Sequence, residues 1–245
     1  MISRNINNDP SQMFSMLMHI GDIAYSTGYL IKWELYMQVL NEMKIGTNLP
    51  IVLNQGNHER DFPHSGAGSN LYPGSHDSGG ECGRCTSLRF PSPTNLTYDE
   101  SGYYSVIHGS STIIMLNSET KMDSTSPQYQ FLEDTLQKVD RNRTPWVIVC
   151  SHRPMYYVYY KGGNIDPTFQ VIEDLLFTYN VNIFIGAHVH NTFLSYPVYQ
   201  GLNNDNGIYH MGVGNGGAQL DVVGNSSNTP SWVSFQHYYY NNYYY

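Results

Sequence analysis

Phe14-Ser15-Met16-Leu17-Met18-His19-Ile20-Gly21-Asp22-Ile23-Ala24-Tyr25 runs from a short apolar segment straight into a Gly-Asp turn. The run from Phe14 to Ile20 reads as a buried strand, and a carboxylate just past its end sits where α/β proteins keep their active groups. The same pattern returns downstream. Pro50-Ile51-Val52-Leu53-Asn54 ends at Gly56-Asn57-His58-Glu59, Trp146 to Cys150 ends at Ser151-His152, and Ile183 to Ile185 ends at Ala187-His188-Val189-His190. Helical spacing fills the gaps. Tyr29 to Met43 places Leu30, Trp33, Met37, Leu40 and Met43 or Lys44 on one face. Ser126 to Val139 has Pro127 in its first turn and Phe131, Leu132, Leu136 and Val139 inward, and Thr168 to Tyr179 carries Val171, Ile172, Leu175 and Leu176. Gly102 to His108 and Ser111 to Asn117 read as strands joined at Gly109-Ser110, and Gly207 to Val213 as a further strand. The expected class is α/β, a layered β-sandwich flanked by helices, with chemistry on the strand-to-helix loops.

Bulk properties narrow the partners. The 245 residues suffice for one catalytic domain, placed at 13–236 between an irregular segment 1–12 and a Tyr/Asn-rich tail 237–245 expected to be disordered. Lys+Arg 12 against Asp+Glu 20 gives a net charge of -8, which argues against nucleic acid. A small phosphate ester stays open, because bound cations reverse the local field. No apolar run approaches the ~20 residues that span a bilayer, and Met1 to Asn5 has no apolar signal region. Cys82 and Cys85 have C-x-x-C spacing; Cys150 cannot complete a zinc site with them, so they read as a loop pair, disulfide-bonded if the protein is secreted. Sequons at Asn95, Asn142 and Asn225 are compatible with a secretory route. Gly-, Ser- and Pro-rich residues 61–95 read as one long functional loop, from which His64 and His76 could approach a phosphate. Oligomeric state is not legible.

The strand ends supply Asp22, Tyr25, Asn57, His152, His188 and His190, a mixture of oxygen and imidazole donors suited to hard and borderline metals. Each has a plainer reading: Asp22 as a turn former, Tyr25 as one of 22 tyrosines, Asn57-His58 as an ordinary turn, His152 as a surface histidine. His188 and His190, two apart at a strand tip, are hardest to dismiss. Cys150 beside His152 mimics a nucleophile and base, but its apolar run reads as core. His19, His64, His76, His108, His210 and His237 read as structural or solvent-exposed.

Gly21-Asp22-x-x-Tyr25, Gly56-Asn57-His58-Glu59, Val149-x-x-His152 and His188-x-His190 resemble the metal motifs of purple acid phosphatases, within the calcineurin-like metallophosphatases. Asp77-Ser78-Gly79-Gly80-Glu81-Cys82-Gly83 and Ser195-Tyr196-Pro197-Val198-Tyr199 extend the likeness to the long, plant-type branch. The resemblance implies a four-layer αββα fold and a secreted, lysosomal or vacuolar acid phosphatase acting on phosphate monoesters through a metal-bound hydroxide. It implies that Asp22 bridges two metals and that Tyr25 and His190 bind Fe(III). Asn57, His152 and His188 would hold a divalent Zn, Mn or Fe, while His58 lies outside the metals and serves the phosphate or the leaving group. A fragment that binds at most one divalent metal, and a phosphodiesterase or nucleotide pyrophosphatase, are the alternatives. Three departures stand out. The family's Asp-x-Gly iron ligand is expected upstream of Met13, where residues 1–12 offer only Asp9 before Pro10, so the chain reads as N-terminally truncated, without its first strand or the family's N-terminal β-sandwich. Ala187 stands where glycine is usual, and Thr192-Phe193-Leu194 replaces Tyr-Glu-Arg.

Overall fold

Leu17–Ile20 (β1) and Ile51–Asn54 (β2) pair in parallel, Leu17 opposite Ile51 and Ile20 opposite Asn54, with the helix Leu30–Glu42 (α1) between them in sequence. The computed structural model describes residues 14–42, 49–63, 74–93, 102–159, 162–217, 219–221 and 229–237. Two compact units divide the chain, residues 1–102 and 103–245. The segment 1–12, the tail 238–245, His64 and the sequons at Asn95 and Asn225 lie outside the described residues.

In the first unit, Ile23, Trp33 and Leu53 form a buried cluster, with Tyr36, Ile51, Cys85 and Phe90 packed against it. Leu30, expected inward, is 57% exposed; Trp33, Tyr36 and Leu40 carry the inward stripe instead. A 33/36/40 stripe meets the helical period as well as 30/33/37/40 does, and only the neighbouring strands choose between them. Gly56-Asn57, read as a turn, opens the one-turn helix Asn57–Arg60 (α2). The segment expected to be one long loop contains the helix Arg84–Arg89 (α3), begun at Gly83 with φ 79°. Such a φ is strained for any residue with a Cβ, and Gln55 and Arg60 crowd the spot a Cβ would fill. Cys82 and Cys85 are free thiols, not a disulfide.

The second unit holds Tyr104–His108 (β3), Ser111–Leu116 (β4), Pro127–Gln137 (α4), Trp146–Ser151 (β5), Tyr156–Tyr159 (β6), Gly162–Ile165 (β7), Gln170–Thr178 (α5) and Ile183–Gly186 (β8). Thr192–Ser195 (β9), Val198–Tyr199 (β10), Leu202–Asn203 (β11), Tyr209–Val213 (β12) and Val233–Gln236 (β13) complete it. Seven strands form one mixed sheet in the order β13-β9-β12-β8-β5-β4-β3. Strands β4, β5, β8 and β12 run parallel, while β3, β9 and β13 are antiparallel to their neighbours. Strands β4, β5 and β8 are buried on both sides, which is why they read as unbroken apolar runs, whereas β12 leaves Tyr209 exposed. Leu132 and Leu136 of α4 with Ile172, Leu175 and Leu176 of α5 pack onto Ile114, Leu116, Val147, Val149 and Phe184, while Ile113, Met115, Cys150 and Ile185 are buried on the opposite side. Ser126 caps α4 by accepting from the Tyr129 N–H, with Pro127 in the first turn. The hairpin β6–β7 and the strands β9, β10, β11 and β13 carried no clear alternation and were not foreseen. Asn142 of the remaining sequon is exposed on the turn after α4.

His210 of β12 is 1% exposed, and neither ring nitrogen has a hydrogen-bond partner. Its ring lies 4.2 Å from that of Tyr156, and burial drives its pKa down to about 3. A histidine whose folded pKa is depressed contributes stability at neutral pH that is lost as pH falls through the unfolded value near 6.5. We expect urea unfolding to show about 2 kcal/mol less stability at pH 5 than at pH 7.5 from this group, and His210→Leu to remove that part of the slope. An unchanged slope in the variant would refute the assignment.

Candidate metal centre

Two constellations of donors form at strand ends, one in each unit. In the first, Asp22 follows Gly21 and has φ 49°, Tyr25 has φ 45° and Thr27 has φ 49°. Left-handed backbone at three non-glycine residues within one loop costs roughly 1 kcal/mol or more each and is held only by specific contacts. Those contacts are visible. Asp22 Oδ1 accepts from the His58 N–H at 3.1 Å and Oδ2 accepts from the Tyr25 hydroxyl at 3.1 Å. The Tyr25 and His58 rings lie 4.4 Å apart.

Glu59, 1% exposed, ties the two loops together: Oε1 accepts from Ile23 N–H at 2.7 Å and Oε2 from Gly56 N–H at 3.0 Å. Asn57, placed at the start of α2, donates from Nδ2 to Asp77 Oδ2 at 2.9 Å, and Ser75 donates to the same oxygen. That bond leaves the Asn57 amide oxygen as the side chain's acceptor end, the end a metal takes. Glu81 accepts from Trp33 Nε1 at 2.7 Å and from Gly28 N–H at 3.1 Å, fixing the segment between β1 and α1. The Nδ1 of His58 is buried without a hydrogen-bond partner.

In the second unit the parallel strands β4, β5 and β8 end side by side, Leu116 opposite Ser151 and Ser151 opposite Gly186. His152 is 1% exposed, and the Ala187 N–H donates to its carbonyl at 2.8 Å. Its Nε2 lies 3.2 Å from Nδ1 of His188. The demand for glycine falls at Gly186, where a Cβ would meet Pro154 Cα at 2.5 Å; Ala187 has no positive φ, and His188 takes the left-handed turn at φ 60°. The departure from the usual glycine is therefore harmless to the backbone.

His190 is turned the other way. Its Nδ1 lies 2.6 Å from the Gln219 carbonyl, so this nitrogen is the donor there and, in a neutral ring, Nε2 carries the lone pair; the His190 N–H also donates to Asp221 Oδ2 at 2.8 Å. A ring N–H held by a backbone carbonyl is the usual support of a metal-binding imidazole. Where the family has Tyr-Glu-Arg, Thr192 begins β9 with its hydroxyl oxygen buried and unpartnered.

Arg153, next to His152, went unassigned in the sequence because a lone arginine before proline carries no pattern. Its Nε lies 3.0 and 3.1 Å from the two oxygens of Glu119, Nη2 lies 3.1 Å from Oε2, and Nη1 lies 3.2 Å from Nε2 of His188. Cys150 is excluded as a nucleophile, since complete burial lifts its thiol to about 12.

Does a metal fit these donors? Two imidazole nitrogens on one ion at 2.0–2.1 Å in tetrahedral geometry stand about 3.3 Å apart, so the 3.2 Å separation at His152 and His188 fits. In the first unit, the carboxylate, phenol and amide oxygens of Asp22, Tyr25 and Asn57 are hard donors of the kind that hold metal ions.

The sequence profile of the calcineurin-like phosphoesterase family matches residues 4–192. An Arabidopsis thaliana protein called probable inactive purple acid phosphatase 27 is 32% identical over 91% of this chain and 38% of its own length. The nucleotide pyrophosphatase/phosphodiesterase of Hordeum vulgare is 30% identical over 91% of this chain and 62% of its own. Among solved structures, purple acid phosphatase PPD1 from yellow lupin (Lupinus luteus) seeds superposes with TM-score 0.85 at 30% identity, over 96% of this chain and 42% of that one. The chain thus spans less than two-thirds of the length of these relatives.

Proposed function

Because the chain belongs to the calcineurin-like phosphoesterase family, we propose that it hydrolyses phosphate monoesters at a binuclear metal centre, best at acidic pH. In this reading Asp22 would be shared by the two ions, Tyr25 and His190 would hold Fe(III), and Asn57, His152 and His188 would hold a divalent Zn, Mn or Fe. The observation that carries it is the His152–His188 pair, with ring nitrogens 3.2 Å apart at the ends of neighbouring parallel strands. When bound, the ions acidify water and neutralise charge on the transferring phosphoryl group.

The chain's own residues do the rest. The His58 N–H holds Oδ1 of Asp22 and so orients the carboxylate, while the Tyr25 hydroxyl now donating to Oδ2 would give up its proton on binding Fe(III). The Gln219 carbonyl presents Nε2 of His190 in the tautomer that binds metal. His58, held by backbone and ring contacts beside Asp22, orients the phosphate or gives a proton to the leaving group. Residues 13–236 make up the catalytic domain in this proposal, the substrate is a small phosphate ester, and the secretory route (secreted, lysosomal or vacuolar) is supported by the exposed sequon at Asn142. No helix among the described residues is long and apolar enough to cross a membrane.

A second reading, an impaired enzyme holding at most one divalent ion, is favoured by the guanidinium of Arg153 on Nε2 of His188. Metal analysis and hydrolysis of p-nitrophenyl phosphate between pH 4 and 7 separate the two. Two ions per chain and turnover support the first reading, with His188→Ala binding the divalent ion about 10²-fold more weakly. One ion or none, with background hydrolysis, leaves the second. Faster cleavage of bis-p-nitrophenyl phosphate would move the substrate class to diesters.

A further inference from the structure

We propose that Arg153 is a positioning residue that holds His188 in its Nδ1–H tautomer and thereby competes with a divalent ion for that imidazole. The proposal rests on the reading of His188 as a ligand, and deepens it. A guanidinium has donors only, so Nε2 of His188, 3.2 Å from Arg153 Nη1, is the acceptor in that contact. A neutral imidazole that accepts at Nε2 carries its proton on Nδ1, and here that N–H points at Nε2 of His152, 3.2 Å away.

Arg153 is not free to swing aside. Its Nε and Nη2 grip Glu119, whose side chain is fully buried. Glu119 Oε1 also accepts the Ser118 hydroxyl at 2.7 Å, and Ser118 Oγ accepts from the Arg153 N–H at 3.1 Å. The fork is therefore anchored on two sides, with its third arm aimed at His188. On that ring one nitrogen is taken by Arg153 and the other is covered by a proton, so no lone pair is open to an ion. His190 shows the opposite arrangement, with its proton parked on the Gln219 carbonyl. Coordination by His188 requires the Arg153 contact to break or the proton to leave Nδ1, and either raises the dissociation constant of the ion that His188 shares.

The test uses the whole chain, ¹⁵N-labelled and metal-free, with the His188 ring signals identified by their loss in His188→Gln. Long-range ¹H–¹⁵N spectra should show the Nδ1–H tautomer in the wild type and a shift toward Nε2–H in Arg153→Gln. Arg153→Lys keeps a cation against Glu119 but cannot also reach His188, so it should shift in the same way even if the glutamine variant folds poorly. Calorimetric titration with Zn(II) and Mn(II) should give about tenfold tighter binding in both variants. An Nε2–H tautomer in the wild type, or unchanged or weaker binding in both variants, overturns the proposal. Failure of all three proteins to take up either ion overturns the metal centre and the competition with it, leaving the ring spectra to decide the positioning role of Arg153 by themselves.

Discussion

Asp22→Asn will lower kcat for p-nitrophenyl phosphate by about 10³-fold or more and remove most bound metal, while leaving the melting temperature within a few degrees of wild type. The substitution keeps the volume, and its amide oxygen still accepts from His58 N–H, now 3.1 Å from Oδ1. What disappears is the negative charge and one of two anionic oxygens on a side chain proposed to serve both ions. Loss of a bridging carboxylate weakens both metals together, so its effect exceeds that of a residue that serves one. Parallel metal analysis and calorimetry check the outcome. Undiminished metal content, or turnover within tenfold of wild type, would remove Asp22 from the centre and the proposed mechanism with it.

The second large effect is on stability. Glu59→Ala should cost about 3–5 kcal/mol, read as a lower urea midpoint at unchanged slope. The carboxylate is 1% exposed and accepts from the Ile23 and Gly56 N–H groups, one on each strand-end loop. Truncation leaves two buried backbone donors without a partner, each worth roughly 1.5–3 kcal/mol against a charged acceptor. Glu59→Gln keeps one acceptor oxygen and should cost about half as much. Ile23 adjoins Asp22 and Gly56 adjoins Asn57, so metal affinity should fall alongside stability. A loss below about 1 kcal/mol in the alanine variant would show that other groups hold these loops.

The pH dependence of folding bears on any activity profile. The proposed acidic optimum and the loss of stability from His210 fall in the same window, below pH 6.5, and would have opposite effects on turnover. Rates measured below pH 5 therefore belong beside unfolding curves at the same pH. His210→Leu separates the two, since it removes the stability term at a residue deep in the second unit's core, where His210 meets Tyr156 and Phe184.

Strands β4, β5 and β8 were legible because burial on both faces forces unbroken apolar runs such as Ile113-Ile114-Met115-Leu116, and because each run stops at a polar loop. Helix α4 was legible from Ser126 and Pro127, whose chemistry is local. Leu30 misled, because a periodic stripe says which residues share a face and not which face meets a neighbour. The helix α3 was hidden by the glycines around it, and β9 to β13 by their mixed polarity, since their places depend on partner strands far away in sequence.

At the candidate site the same division holds. Residue type and order alone singled out Asp22, Tyr25, Asn57, His152, His188 and His190, because metal chemistry restricts the side chains that can serve and each falls just past an apolar strand; His58 came only from the family resemblance. Which nitrogen of His190 bears a proton, that Glu59 clamps two loops, and that Arg153 reaches His188 through the grip of Glu119 were decided by the tertiary structure. A hydrogen bond between residues about 35 positions apart depends on how strands are stacked, and no local pattern in the chain encodes that distance.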